Sequence, residues 1–315
     1  MVCLDTKIAI IGAGHVGSTL AYTCMLQEIA TQIALIDINK DRAAGEAMDM
    51  NHCLQFAPHC SVVAGDSFEL VAGATVVIIT AGAAQRPGQT RLDLLEANVK
   101  LFKQMVPQIT RYNQDCFLLV VTNPMDVLTY ISYKLSGFPS NRVIGSGTVL
   151  DTARLRFLLA RYFELNPKDL QAYVLGEHGD SEFIWWSGAA VAGSPLNKQV
   201  GFDLSLERKM LEQTRRAAYE IIEQKGATYY AIALAVAKII KSLMFNQSRI
   251  FTVSTLYQDK VGDELYVSLP VVLAADGAHR RLSLTFSLEE EVALQQSVEQ
   301  IKKGILAAQK VLNSA

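Results

Sequence analysis

At 315 residues the chain can make one large or two ordinary domains, and with half its residues hydrophobic it can bury a parallel sheet on both faces. A net charge of −2 with no basic block argues against a nucleic-acid or anionic-membrane partner, and the longest apolar stretches are too short, or too interrupted by residues such as Lys238, to span a bilayer. Five cysteines without a C-x-x-C pair, behind an N-terminus with no basic-then-apolar leader, fit reduced thiols in the cytoplasm.

The first predicted strand covers 8–11 and runs straight into Gly12-Ala13-Gly14-His15-Val16-Gly17, which opens a helix over 16–28. In that context the G-x-G-x-x-G spacing is a dinucleotide turn, in which glycine permits the tight bend and lets backbone approach a pyrophosphate at a helix N-terminus. A second strand, 33–36, ends at Asp37, whose carboxylate suits the ribose hydroxyls of NAD and would repel the extra phosphate of NADP. A helix over 41–54 follows, then strands at 62–64 and 76–80. His52-Cys53 and His59-Cys60 are potential metal ligands, but Pro58 breaks any helix between them and adjacent His-Cys pairs diverge, so no metal is expected.

The loop from Ala81 to Arg91 is punctuated by glycine and proline and has a cation at its far end, the composition of a lid that delivers an arginine to a closed site. A long helix, 92–112, is expected to be interrupted by Pro107. Strand 117–121 leads into Thr122-Asn123-Pro124, at the strand end where open parallel sheets place ligand groups. Helix 125–135 and a short strand at 143–144 complete the alternating half. This pattern predicts an α/β fold: an N-terminal Rossmann domain with a doubly wound parallel sheet over residues 1–145, followed by an α+β substrate domain over 146–315.

A helix over 148–163 opens the second half and carries Asp151 and Arg154, three apart and so on one face. Arginine can grip a carboxylate with two bonds, and aspartate can fix a histidine tautomer and favour its protonated form. Strand-like runs are read at 172–175 and 189–192, helices at about 206–224 and 227–243, antiparallel strands at 251–256, 265–273 and 282–286, and an amphipathic helix at 288–312. Between strand 172–175 and the aromatic stretch 183–186 lies Gly176-Glu177-His178-Gly179-Asp180, a glycine-flanked loop around a residue suited to give and take protons near neutral pH.

These motifs agree in order and spacing, and over residues 7 to about 306 the chain resembles the L-lactate and malate dehydrogenase family, on the side of its bacterial L-lactate dehydrogenases. The resemblance implies reversible, NADH-dependent reduction of a 2-keto acid, with His178 as acid and base, Asp151 as its partner, Arg154 on the substrate carboxylate and Arg91 polarising the reacting carbonyl. It implies cofactor contacts at Thr80, Ala81, Gly82, Asn98, Val121, Asn123 and Ile232 beside those of the glycine turn, and Asn123 and Thr228 in the substrate pocket. It implies a dimer-built homotetramer. The N-terminal arm that some tetrameric relatives use is missing, so a dimer stays open.

Specificity in the family rests largely on the lid position held here by Gln85, where malate dehydrogenases carry arginine. A second carboxylate, as in oxaloacetate, would lie unpaired in a closed pocket opposite Gln85, which points to pyruvate; Arg86, one residue on, is the complication. Malate or another 2-hydroxy acid is the enzymatic alternative. A catalytically silent NAD-binding protein would need only the glycine turn and Asp37, not His178, Asp151, Arg154 and Arg91 together. The family's fructose 1,6-bisphosphate site uses an arginine and a histidine; Arg156 matches the first, but Gln171 stands at the second, so little activation is expected.

Overall fold

The computed structural model describes residues 6–83 and 91–314, without the side chain of Arg91. In chain order the first half contains β1 (Lys7–Ile11), α1 (His15–Leu26), β2 (Gln32–Ile36), α2 (Lys40–His52), β3 (Ser61–Gly65), β4 (Val76–Ile79), α3 (Arg91–Tyr112), β5 (Phe117–Val120), α4 (Met125–Ser136) and β6 (Val143–Gly145). Their strands are Val-, Ile- and Leu-rich and run parallel in the order β3-β2-β1-β4-β5-β6. Strand order reverses between β1 and β4, which opens a crevice at the carboxyl ends of the strands.

The second half contains α5 (Val149–Phe163), β7 (Leu170–Gln171), β8 (Val174–Leu175), β9 (Phe183–Ile184), β10 (Ala190–Val191), β11 (Ser194–Pro195), α6 (Leu204–Lys225), α7 (Tyr230–Met244), β12 (Arg249–Gln258), β13 (Glu264–Ala274), β14 (Gly277–Arg281) and α8 (Leu288–Asn313). The long hairpin β12–β13 continues the first sheet: β12 lies antiparallel to β6, with Ser254 opposite Gly145. The result is one nine-stranded mixed sheet.

Each sheet face carries its own apolar layer. Phe102, Val106, Leu128, Ile131, Ile301 and Ile305 of α3, α4 and α8 fill one side. Leu20, Met25, Val236 and Ile240 of α1 and α7 fill the other, with Ala43 and Met50 of α2 at its edge. A third cluster, including Leu155, Leu159, Leu170, Ile184, Leu206 and Met210, ties α5 and α6 to the short strands. Full burial of such side chains contributes about 1.5–3 kcal/mol each, so this third cluster is enough to hold α5 firmly behind the crevice. No helix among the described residues is long and apolar enough to cross a membrane.

Four local expectations are corrected. The helix α3 runs through Pro107 without interruption, because Phe102, Val106 and Ile109 keep its buried face continuous past the lost hydrogen bond. The run 172–175 is not one strand: Arg156 Nε takes the Ala172 carbonyl at 2.9 Å and Thr152 Oγ1 takes the Val174 N–H at 3.0 Å, so helix side chains use backbone groups that a ladder would need. Gly226, in the left-handed region, ends α6, and α7 starts at Tyr230 rather than 227. The last edge strand is β14, not 282–286; the turn at Gly277 pairs residues 277–281, three of them the charged or polar His279, Arg280 and Arg281, with β13, while Leu284 and Phe286 pack on the core without strand structure.

Candidate active site

Three loops at the carboxyl ends of β1, β4 and β5 are fastened together at the crevice. Thr80 Oγ1 donates to the carbonyls of Ile11 and Gly12 at 3.0 and 3.1 Å, and Thr122 Oγ1 donates to Ala81 O at 2.8 Å. Asn98, buried on α3, accepts from the Ala83 N–H at 2.7 Å and donates to Asn123 O at 2.8 Å. Its amide therefore holds the two neighbouring loops in register.

The glycine turn has no room for side chains on its inner side. A Cβ on Gly12 would stand 2.7 Å from Ala81 N, at a φ of +107°, and one on Gly17 would overlap the Gly12 carbonyl oxygen. Gly14 meets nothing within 4 Å, so its outer face is open to a ligand. No side chain caps α1, and no acidic residue lies in its first turn, which leaves partial positive charge directed at that opening. Asp37 braces the turn: Oδ2 accepts from Ala13 N at 2.7 Å and Oδ1 from Asn39 N at 2.8 Å. An open backbone cradle beside an acidic strand end fits a dinucleotide's pyrophosphate and ribose. His15 is exposed at the rim and stacks on Tyr229, with ring centroids 5.2 Å apart. Ile232, in the first turn of α7, is half-buried against the same apolar layer as Val121 and Val149, and Thr228 lies in the loop just before α7.

Across the crevice, α5 and the loop after β8 assemble charged groups. Asp151 is 2 % exposed. Its Oδ2 lies 2.7 Å from His178 Nδ1 and its Oδ1 2.6 Å from Arg154 Nη1, so one buried carboxylate serves both cations. The loop is anchored behind His178, whose backbone N–H donates to Asp126 Oδ2 at 2.8 Å; Asp126 Oδ1 is 2.5 Å from Ser254 Oγ. Glu182, at the end of the same loop, places a third carboxyl within 4.8 Å of ligand atoms of Asp151 and His178.

Burial disfavours the charged form of His178, but Asp151, with smaller help from Glu182 and Asp126, overcomes it and pushes the imidazole up to about 9. Burial likewise works against the Asp151 carboxylate, yet His178 and Arg154 hold it below the usual range. Asp126, desolvated on α4, is raised to about 7 despite its bonds to Ser254 and His178. These shifts favour an imidazolium on an ionised aspartate at neutral pH, with Nδ1 engaged by Asp151 and Nε2 outside that bond.

His178, Asp151 and Arg154 are brought together as the sequence suggested. Gln85 and Arg86 lie outside the described residues, as does the Arg91 side chain, although Arg91 starts α3. Asp126 and Glu182 were missed. Asp126 follows Asn123-Pro124 by two residues, and a carboxylate expected inside a buried helix was the available signal. Arg156, turned away from Arg154, bonds Ala172 O and lies 4.7 Å over the Tyr173 ring, while Gln171 is exposed on β7.

Residues 6–145 match the model for the lactate/malate dehydrogenase NAD binding domain, and residues 148–311 match that for the lactate/malate dehydrogenase alpha/beta C-terminal domain. The chain is 46 % identical over 305 residues to an L-lactate dehydrogenase of Acetivibrio thermocellus, covering 95 % of this chain and 96 % of that one. It is 43 % identical over 307 residues to L-lactate dehydrogenase 1 of Clostridium acetobutylicum, covering 96 % and 98 %. A crystal structure of a lactate dehydrogenase from a deep-sea metagenome library superposes with a TM-score of 0.92 at 38 % identity, over 97 % of this chain and 99 % of that one. The minor L-lactate dehydrogenase of Enterococcus mundtii does so at 0.92 and 34 %, over 96 % and 98 %.

Proposed function

This chain belongs to the lactate/malate dehydrogenase family, and from that premise we propose that it reduces pyruvate to L-lactate with NADH and runs the reverse reaction with NAD. The observation that carries the reading is the single buried carboxylate of Asp151 shared by His178 and Arg154, which couples a proton donor to a carboxylate-binding guanidinium.

The nicotinamide cofactor supplies the redox equivalents when bound. Gly12, Gly14, His15, Val16 and Gly17 would receive its pyrophosphate and Asp37 its adenosine ribose. Thr80, Ala81, Gly82, Val121, Asn123 and Ile232 would line its path, with Asn98 holding two of those loops. Arg154 grips the pyruvate carboxylate through its planar fork. His178, with Nδ1 on Asp151, gives the Nε2 proton to the ketone oxygen and takes it back from the lactate hydroxyl. Arg91 stabilises charge developing on that oxygen, and Thr228 and Asn123 shape the pocket. Gln85 offers no cation to a second carboxylate, which disfavours oxaloacetate.

In this reading residues 1–145 hold the dinucleotide and 146–315 the substrate, and the enzyme works in the cytoplasm as a homotetramer. Exposed apolar side chains such as Tyr22 and Leu26 on α1, Met48 on α2 and Leu234 on α7 support subunit contacts. The test is NADH oxidation with pyruvate and oxaloacetate side by side. Pyruvate is expected to give the higher kcat/KM; a preference for oxaloacetate would overturn the assignment.

A further inference from the structure

Glu182 is not needed by the chemistry above, yet it is 3 % exposed and has a carboxyl oxygen within 4.8 Å of ligand atoms of the His178–Asp151 pair. Its Oε1 is buried with no hydrogen-bond partner, and so is Nε of Arg215 on α6. The Arg215 guanidinium instead bonds the backbone carbonyl of Glu182 itself. A carboxyl with one oxygen dry and unbonded, on backbone clamped by Arg215 and beside an imidazole, has no folding rationale, because an apolar side chain would be tolerated better there. Placed so close, it can act on His178 through the field of its charge.

We propose that Glu182 is a positioning residue for the catalytic proton: a second carboxyl that, once ionised, holds the imidazolium of His178 against loss in alkaline solution. The charged groups that face it are Asp151 and Arg154 from α5, His178 from its own loop and Arg215 from α6. Asp126 on α4 reaches the pair through the His178 backbone, and Glu177 is engaged with the Ser181 hydroxyl. From α8 the neutral Ser297 hydroxyl donates to the Ser181 carbonyl, and Glu290 is engaged with the Ser187 N–H. Burial first, then Asp151, raises Glu182 to about 8, against the attraction of His178, Arg215 and Arg154. Glu182 is therefore largely neutral at pH 7, and its charge appears just below the range in which His178, at about 9, would release its proton. As an added negative charge it extends the acid form of His178 upward in pH.

This rests on the pyruvate-reducing reading, and the test separates the two. The His178 imidazole is titrated by NMR in the cofactor-free protein, assigned with His178→Asn, and kcat/KM for pyruvate is followed from about pH 6 to 10. In Glu182→Gln and in the apolar Glu182→Met, His178 should titrate at lower pH. The ratio of kcat/KM at pH 9 to that at pH 6.5 should fall by about tenfold, carried by KM rather than kcat. Glu182→Asp, which keeps the charge, should retain most of the alkaline activity. A His178 titration unchanged in both neutral variants would overturn the proposal, as would an equal loss of activity at every pH. If wild type fails to reduce pyruvate while His178 still shifts, the substrate reading falls and the role of Glu182 stands.

Discussion

Two regions face each other across the crevice. At the β1–α1 turn the ligand groups are backbone, and the constraint is space: Gly12 and Gly17 are packed against Ala81 N and Thr80, and the neighbouring charge of Asp37 is bonded to backbone N–H groups. Around His178 the ligand groups are side chains, and the constraint is charge: Asp151, Asp126 and Glu182, all buried, lie around one imidazole and the guanidinium groups of Arg154 and Arg215. A steric site fails when an atom is added. An electrostatic site fails when a proton is added or removed. The first should be insensitive to pH and intolerant of a methyl group, and the second should be the reverse.

The largest effect is expected on the electrostatic side. His178→Asn should lower turnover by at least ~10²-fold, the low end for removing a general acid, while NADH binding measured by fluorescence persists. Near-normal turnover would remove His178 from its role. On the steric side, Gly17→Ala should cost about 2 kcal/mol or more of stability, since its Cβ overlaps the Gly12 carbonyl and backbone must move. Gly14→Ala should stay within about 0.5 kcal/mol in denaturant unfolding yet weaken NADH binding. Equal stability losses at the two glycines would break the distinction between packed and open faces of the turn.

The third prediction concerns pH. His178, raised to about 9, contributes stability that is complete below its ordinary value of 6.5 and disappears as pH climbs past about 9. Asp126 and Glu182, raised to about 7 and 8, act in the same direction but over a lower window, from the ordinary carboxylate range up to those values, so that His178, with the last part of Glu182, governs the change above pH 7. Asp151 is lowered, so its contribution is lost only in acid. The thermal midpoint should therefore decline from about pH 7 to 9.5 by several degrees, and half-saturation by pyruvate should rise over the same interval; NADH binding should stay level. A flat midpoint, or an NADH affinity that follows the same curve, would erase the contrast between the regions.

The smallest effect is expected at Arg156. With its guanidinium on Ala172 O and Tyr173, and with neutral Gln171 nearby, fructose 1,6-bisphosphate should change the half-saturating pyruvate concentration by less than about fivefold. A larger leftward shift in a saturation curve near neutral pH would show that a charged phosphate site exists here without a histidine.

The local features were legible in the sequence because they have short periods. Strand–helix alternation, the glycine turn followed by Asp37 and the Asp151/Arg154 spacing all fall within a few turns of chain, where sterics and helix geometry act directly. The pairing of His178 with Asp151 was read by resemblance; tertiary packing brings these two residues, 27 apart in sequence, to a 2.7 Å contact. Other outcomes were decided only by packing. Pro107 was carried inside α3 by its buried face, the run 172–175 was split by side chains of α5, and β14 formed from polar residues because an edge strand needs backbone bonds more than apolar side chains. Asp126, Glu182 and Arg215 read as ordinary charges in sequence. Burial makes the two carboxyls chemically consequential, because removing water raises the energy of a charge and lets neighbours several ångströms away determine whether it carries a proton.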